Sequence, residues 1–288
     1  MSGTISVIIP AYQAESYISK AVGSVLRQTS PVSEIVIASD DGQDYLAILA
    51  DQEVRDRRIR CILTGGKGTG VARARNTAFR ASTGRIVLSL DSDDLLEPDA
   101  VAVLCPQALA HGAAYSNHHV VDFATGEALP SYNRELPEGN LRLHEVLTSN
   151  LHTYACIAFD RLRLEELCWP AEIVRWEDVL FFAACADRLG TLYYTPQRLF
   201  VYHRRQSSIC NRAETGEEFK RWAMWILQKL GEHKYLRYLD HATEEAVRAY
   251  FQGQVTLQTD FQKRIDAGEQ MEYQRFVREH LQLLAPAV

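Results

Sequence analysis

The first third of this chain switches back and forth between two hydrophobic periods, and that alternation narrows the fold more than any other feature. "ISVIIP" (5–10), "EIVIAS" (34–39), "RIRCIL" (58–63) and "IVLSL" (86–90) are short runs rich in β-branched residues. Between them the apolar residues fall at helical spacing. Tyr17, Ile18, Ala21, Val22, Val25 and Leu26 follow the first run, Tyr45, Leu46 and Leu49 mark 43–53, and 70–82 reads as a helix closed by Gly84. Strands this apolar must be covered on both faces, which predicts parallel βαβ units with helices on either side of the sheet. With 288 residues, 47% of them hydrophobic, the chain can bury a large core, and its net charge of −6 offers no basic footprint for nucleic acid.

Parallel sheets bind ligands beyond the carboxyl ends of their strands. The polar signals of this sequence collect there: "PAYQ" after the first strand, "SDDGQD" after the second, "DSDD" after the fourth. "DDGQD" alone is ordinary turn chemistry, but two acid clusters at equivalent strand ends point to a crevice with a task. Asp91, Asp93 and Asp94 lie within four positions. Like charges this close repel, and a carboxylate pays heavily to leave water, so a cation is the natural partner. A calcium loop would need an oxygen ligand and a glycine where Leu95 and Leu96 stand. A DxD at a strand exit suits Mg²⁺ or Mn²⁺, whose shell substrate phosphates complete. "GGKGTG" (65–70) is not a phosphate loop, because Val71 follows Gly70 where a Walker or dinucleotide motif needs other residues. It is expected to be a flexible loop leading into a helix.

From about residue 113 the pattern loosens. "CIAF" (156–159), "TLYY" (191–194) and "LFVYH" (199–203) read as strands, and "EDVLFFAACADRLG" (177–190) as a helix ended by Gly190. After Arg212 the chain turns helical and charged, with a soft boundary near there. The six scattered cysteines predict buried free thiols in a reducing compartment. "ISVIIP" is too short for the core of a signal peptide and no run of about 18 apolar residues exists, so a cytoplasmic protein is expected. Within 219–239, Phe219, Trp222, Trp225, Ile226 and Leu230 share the chain with Lys220, Arg221, Lys229, Lys234 and Arg237. Such a helix is expected to pack on the main domain or on a second copy in a homodimer; peripheral contact with the inner face of a membrane is the alternative.

"SVIIPAYQAESYISKAVGSVLRQT", "EIVIASDDGQD" and "GVARARNTAFRASTGRIVLSLDSDDLLEPDAV", in that order, resemble the nucleotide-binding half of family-2 glycosyltransferases of the GT-A fold. The resemblance runs from about residue 4 to 105, continues more weakly through "WEDVLFFA" (176–183) and "YHRRQSSI" (202–209), and does not reach 213–288. It implies an α/β GT-A domain, Rossmann-like with a mostly parallel sheet, over 1–212. Residues 1–105 would form its nucleotide-binding half and 106–212 its acceptor side, followed by a helical extension.

The resemblance also implies roles for particular residues. Pro10, Ala11 and Tyr12 would form the turn under the nucleobase, with the ring stacking on it and Glu15 close by. Asp41 would hydrogen-bond the base. Arg75 would lie near the nucleotide and its phosphates. Asp91 and Ser92 would meet the ribose and sugar, while Asp93, with Asp91, would hold Mn²⁺ or Mg²⁺. Asp178 would be the general base, supported by Glu177, with Trp176 lining the acceptor pocket. Neighbours on a helix point about 100° apart, so only one of the two acids can face the reaction. The helix N-terminus is expected to keep Asp178 ionised. Arg205 stands where many members carry histidine, and would neutralise the leaving diphosphate directly. His118, His119, His152 and His203 lack metal-ligand spacing and are at most acceptor contacts.

The activity implied is inverting, metal-dependent transfer of a sugar from a nucleotide diphosphate sugar, of UDP type, to a carbohydrate, lipid-linked or protein acceptor. Two other readings remain open at this stage. A nucleotidyltransferase would carry a glycine-rich basic loop after the first strand, which "PAYQAESY" lacks. A non-catalytic sugar-nucleotide-binding subunit would not need the acids at 41, 91, 93 and 178.

Overall fold

The computed structural model describes residues 4–130, 136–148, 156–164, 166–174, 176–205, 215–230, 232, 236–238, 240–269, 276 and 279–280. The predicted alternation is present: β1 (Ile5–Ala11), α1 (Ile18–Leu26), β2 (Glu34–Ser39), α2 (Tyr45–Asp51), β3 (Ile59–Leu63), α3 (Val71–Ala81) and β4 (Ile86–Ser89). β1 pairs in parallel with both β2 and β4, and β2 with β3. Successive residues explain the double cover. Ile8, Val36 and Val87 point into one buried cluster, while Val7, Ile9, Ile35, Ile37 and Leu88 point into the other.

Beyond β4 the sheet becomes mixed. After β5 (Leu95–Leu96) and α4 (Ala100–His111) come β6 (Ala113–Asp122), β7 (Ala128–Leu129) and β8 (Gly139–Leu141). Then follow α5 (Leu143–Thr148), β9 (Ala158–Asp160), α6 (Arg161–Leu164), α7 (Glu177–Leu189) and β10 (Leu192–Arg204). The strand order is β3-β2-β1-β4-β9-β6-β10-β5, with β9 antiparallel to β4 and β6, and β10 parallel to β6. The two short strands expected at 191–194 and 199–203 are one strand. It runs through the polar stretch Pro196–Arg198 with register shifts on either side of Arg198.

The extension contains α8 (Thr215–Leu230) and α9 (His241–Asp266). Ala223, Ile226, Leu230, Leu236, Val247 and Phe251 join the same buried cluster as Trp169, Leu180 and Phe181 of the main domain. Trp222 and Trp225 pack against that cluster, half-buried. The apolar side of this basic helix therefore faces the protein's own core, in line with the packing expectation; Lys234 and the side chain of Phe219 lie outside the described residues. No helix among the described residues is long and apolar enough to cross a membrane. Cys105, Cys156 and Cys185 are buried free thiols, and Cys61 is half-buried. Cys168 departs from the expected burial and is exposed, and Cys210 lies outside the described residues.

Candidate active site

The carboxyl ends of β1, β2 and β4 lie side by side, as parallel pairing requires, and bring together residues far apart in sequence. At the β1 end Pro10 and Ala11 are buried and Tyr12 is 44% exposed. The Tyr12 ring borders Gly68, where an added Cβ would lie 3.7 Å from its Cε2. The ring is thus an open face beside the 65–70 loop rather than part of the core. Glu15 is half-buried a turn later. Gln13 between them adopts φ 51, a left-handed conformation unusual outside glycine.

Asp41, at the β2 end, holds that turn. Its Oδ2 accepts from Gln13 N (2.6 Å) and Tyr45 Oη (2.8 Å), and its Oδ1 from Ser39 Oγ (3.0 Å) and Gln43 N (3.1 Å). Burial alone would raise its carboxyl, but these hydrogen bonds win and hold it below the usual carboxylate range. Asp40, which the sequence reading passed over, fixes the neighbouring loop. Its carboxylate accepts from Thr64 Oγ1 (2.7 Å), Thr69 Oγ1 (2.5 Å) and Gly70 N (2.9 Å), and its carbonyl from Gly68 N (2.7 Å). The glycine-rich loop leads into α3 as expected, but it is tied down rather than free. The doubled acid in "SDDGQD" was the available signal.

At the β4 end the carboxylates meet differently. Oxygen atoms of Asp91, Asp93 and Asp94 all lie within 4.8 Å of one another. Ser92 between them is 8% exposed. Burial, then the charges of its neighbours, pushes Asp94 well above the usual carboxylate range. Burial and the Asp91 charge raise Asp93 too, against the pull of Arg205. A set of three oxygen donors carrying excess negative charge fits Mg²⁺ or Mn²⁺ chemically. The protein already brings a cation to the cluster: Arg205 Nη2 lies 2.7 Å from Asp93 Oδ2. β10 is stitched to the same turn, with His203 N donating to Asp94 Oδ1 (2.9 Å) and His203 Nδ1 2.7 Å from the Asp93 carbonyl. His203, expected at most to touch an acceptor, instead braces the acid turn. His118 is buried against Phe200 (ring centroids 4.9 Å apart), His119 lies 3.9 Å from Glu97, and His152 falls outside the described residues.

Arg75 joins this cluster to the acids of α7. The residue is 2% exposed, and its guanidinium bridges Asp91 Oδ1 (2.8 Å) and Glu177 Oε1 (3.0 Å), residues 86 positions apart. Its Nε has no partner among the described residues. Glu177 is buried, and burial raises its carboxyl despite Arg75. Asp178 accepts from Val179 N (2.7 Å). The expectation that the helix N-terminus keeps Asp178 ionised is overturned: burial first, then the Glu177 charge, push it up to about 8, outweighing Arg75 and the Val179 N–H. Trp176 precedes the pair at φ 64 and packs on Phe251 of α9 with ring centroids 5.4 Å apart. Left-handed non-glycine residues thus occur at Gln13, just past the β1 end, and at Trp176, just before α7, and the surrounding packing must hold them there.

Comparison with known proteins gives the family and the fold. The profile of the family described as Glycosyl transferase family 2 matches residues 6–165, more than half of the chain. Chondroitin synthase of Escherichia coli is 37% identical over 141 residues, covering 46% of this chain and 20% of that protein. The Escherichia coli UDP-Glc:alpha-D-GlcNAc-diphosphoundecaprenol beta-1,3-glucosyltransferase WfgD is 33% identical over 120 residues, covering 41% and 47%. The chain thus spans less than half the length of these two curated relatives. S. aureus TarS 1-349, solved in complex with UDP, superposes with a TM-score of 0.70 over 98% of this chain and 83% of that one, at 17% identity. This likeness shows the fold, and the expected GT-A architecture is the one observed.

Proposed function

Since the chain belongs to glycosyl transferase family 2, we propose that it moves a sugar from a nucleotide diphosphate sugar, of UDP type, to an acceptor hydroxyl with inversion. The acceptor would be a growing polysaccharide, a lipid-linked glycan or a glycoprotein. The observation that carries this reading is the line of charge from Arg205 through Asp93, Asp91, Arg75 and Glu177 to Asp178. It sets an anion-neutralising end beside a proton-accepting end in one crevice.

In this reading Tyr12 offers its open ring to the base. Asp91, Asp93 and Asp94 would hold Mn²⁺ or Mg²⁺, which when bound supplies Lewis-acid stabilisation to the departing diphosphate. Arg205 adds a fixed positive charge and a fork of donors that fits phosphate oxygens. The acceptor oxygen attacks the anomeric carbon while the bond to the diphosphate oxygen breaks, and the acceptor proton passes to Asp178. An Asp178 carboxyl raised to about 8 is a stronger base than an ordinary aspartate, which suits it to take a proton from a hydroxyl. Glu177, fixed by Arg75, keeps the head of α7 in place. The name of one relative, a UDP-Glc glucosyltransferase, supports the donor class.

The test is slow UDP release from UDP-sugars with Mn²⁺, scored against pyrophosphate release from UTP and a sugar 1-phosphate, which a nucleotidyltransferase would give. Asp93→Ala should abolish metal-dependent UDP binding while leaving the circular dichroism and melting of the apoprotein unchanged. Full activity of Asp93→Ala in EDTA would overturn the reading.

A further inference from the structure

Arg205 sits in a built place. Its guanidinium carbon lies 4.7 Å from the centre of the Tyr17 ring and 5.8 Å from that of Phe123. Those two rings meet edge-on, with centroids 5.7 Å apart. The open side of this aromatic corner is closed by Asp93, whose Oδ2 is 2.7 Å from Nη2. The two hydrogen bonds from His203 fix where β10 delivers the following residues. A cation held by two aromatic faces and a carboxylate is in a resting site, not a chance surface contact.

The partner is the difficulty. Asp93 is one of the three clustered carboxylates proposed above to hold the divalent ion. A guanidinium on the same carboxylate is an electrostatic rival for that position. The rivalry ends when another anion arrives for Arg205, and a diphosphate matches its donor fork at least as well as a single carboxylate does.

We propose that Arg205 holds the cation position at Asp93 while the crevice lacks donor, and passes to the diphosphate when the nucleotide binds, so that divalent ion and nucleotide enter as a pair rather than ion first. The proposal rests on the donor reading given above. Linkage makes the effect reciprocal: the nucleotide tightens the ion by the factor by which the ion tightens the nucleotide. The side chains of Arg205 and Asp93 are 28% and 21% exposed, so the exchange needs no opening of the core.

The experiment is Mn²⁺ binding followed by electron paramagnetic resonance, with and without UDP, in the wild-type chain, Arg205→Met and Arg205→Gln. Wild type should bind Mn²⁺ weakly alone and about tenfold or more tightly with UDP, the size expected for one charge-assisted contact. Both variants should bind Mn²⁺ alone about tenfold more tightly than wild type and gain correspondingly less from UDP, keeping only the coupling that phosphate on the ion supplies. Met and Gln differ in polarity but both lack the charge, so a change in one variant only would assign the effect to packing and overturn the proposal. Equal Mn²⁺ affinity and equal coupling in all three proteins would overturn it while leaving the donor reading intact. No UDP binding to any of them with Mn²⁺ present would end both.

Discussion

Two acid clusters leave the same sheet at the ends of the two strands that flank β1, one after β2 and one after β4, and in sequence they look alike. Their surroundings are opposite. Asp40 and Asp41 accept seven hydrogen bonds through their carboxylates, from backbone amides, threonine and serine hydroxyls and a tyrosine, and Asp41 is held below the usual carboxylate range. Asp93 and Asp94 sit within a 4.8 Å cluster with Asp91, lean on Arg205 and on the amides of His203 and Asp93, and are raised. A carboxylate whose hydrogen bonds stabilise its charge is a loop anchor. A carboxylate left with excess charge in a partly dry site is waiting for a cation. Protonation direction, rather than the presence of acids, separates Asp41 from Asp93 and Asp94.

The largest effect should come from asking which side of that divide the acids of α7 fall on. Asp178 is raised, like Asp93 and Asp94, and a general base must be ionised to accept a proton. Turnover per bound donor should therefore climb as pH rises toward about 8 and level off above it. Asp178→Asn should remove that inflection and lower kcat by about 10²- to 10⁴-fold with UDP binding retained. If Glu177→Gln has this effect and Asp178→Asn does not, the two roles are exchanged. If neither variant loses turnover, the α7 acids are anchors like those of β2.

Arg75 is the next lever, because it ties the β4 cluster to α7. Arg75→Met leaves Glu177 buried without its ion-pair partner, which should cost about 3–5 kcal/mol in urea unfolding. The double variant Arg75→Met/Glu177→Gln should recover much of that, since the stranded charge is gone. A double variant as unstable as the single one would mean that the guanidinium matters for its packing and not for its charge.

How much of this the sequence disclosed depended on whether the signal was local. β1 to β4 were legible because each strand carries its own apolar run and each intervening helix its own period. β6 escaped because Ser116, Asn117 and His118 break its apolar pattern although all three are buried, held by pairing with β10. β10 was split in two because Pro196 to Arg198 looks like a turn, whereas the ladder with β6 carries the strand through it. The DxD was legible as a cation site, and the bridging place of Arg75 was not, since one of its partners lies 102 residues away. The ionisation of Asp178 was misjudged because the helix end is a short-range field, and burial beside another carboxylate outweighs it.

The smallest effect sharpens the comparison most directly, because it sets one acid from each cluster against the other in the absence of divalent ions. Asp40→Ala strands the Gly70 amide and the two threonine hydroxyls at the mouth of α3. These groups are partly open to solvent, so water replaces some of what is lost, and the cost should be about 1–3 kcal/mol in urea unfolding. Asp94→Asn keeps an oxygen for the His203 amide and removes a charge that burial and two neighbouring carboxylates disfavour. Its stability in EDTA should equal or exceed that of the wild type. The two acids should therefore move the unfolding midpoint in opposite directions, or one down and one not at all. If Asp94→Asn costs as much as Asp40→Ala, the acids after β4 are holding the fold together in the same way as those after β2, and the excess charge that marks the cation site is not there.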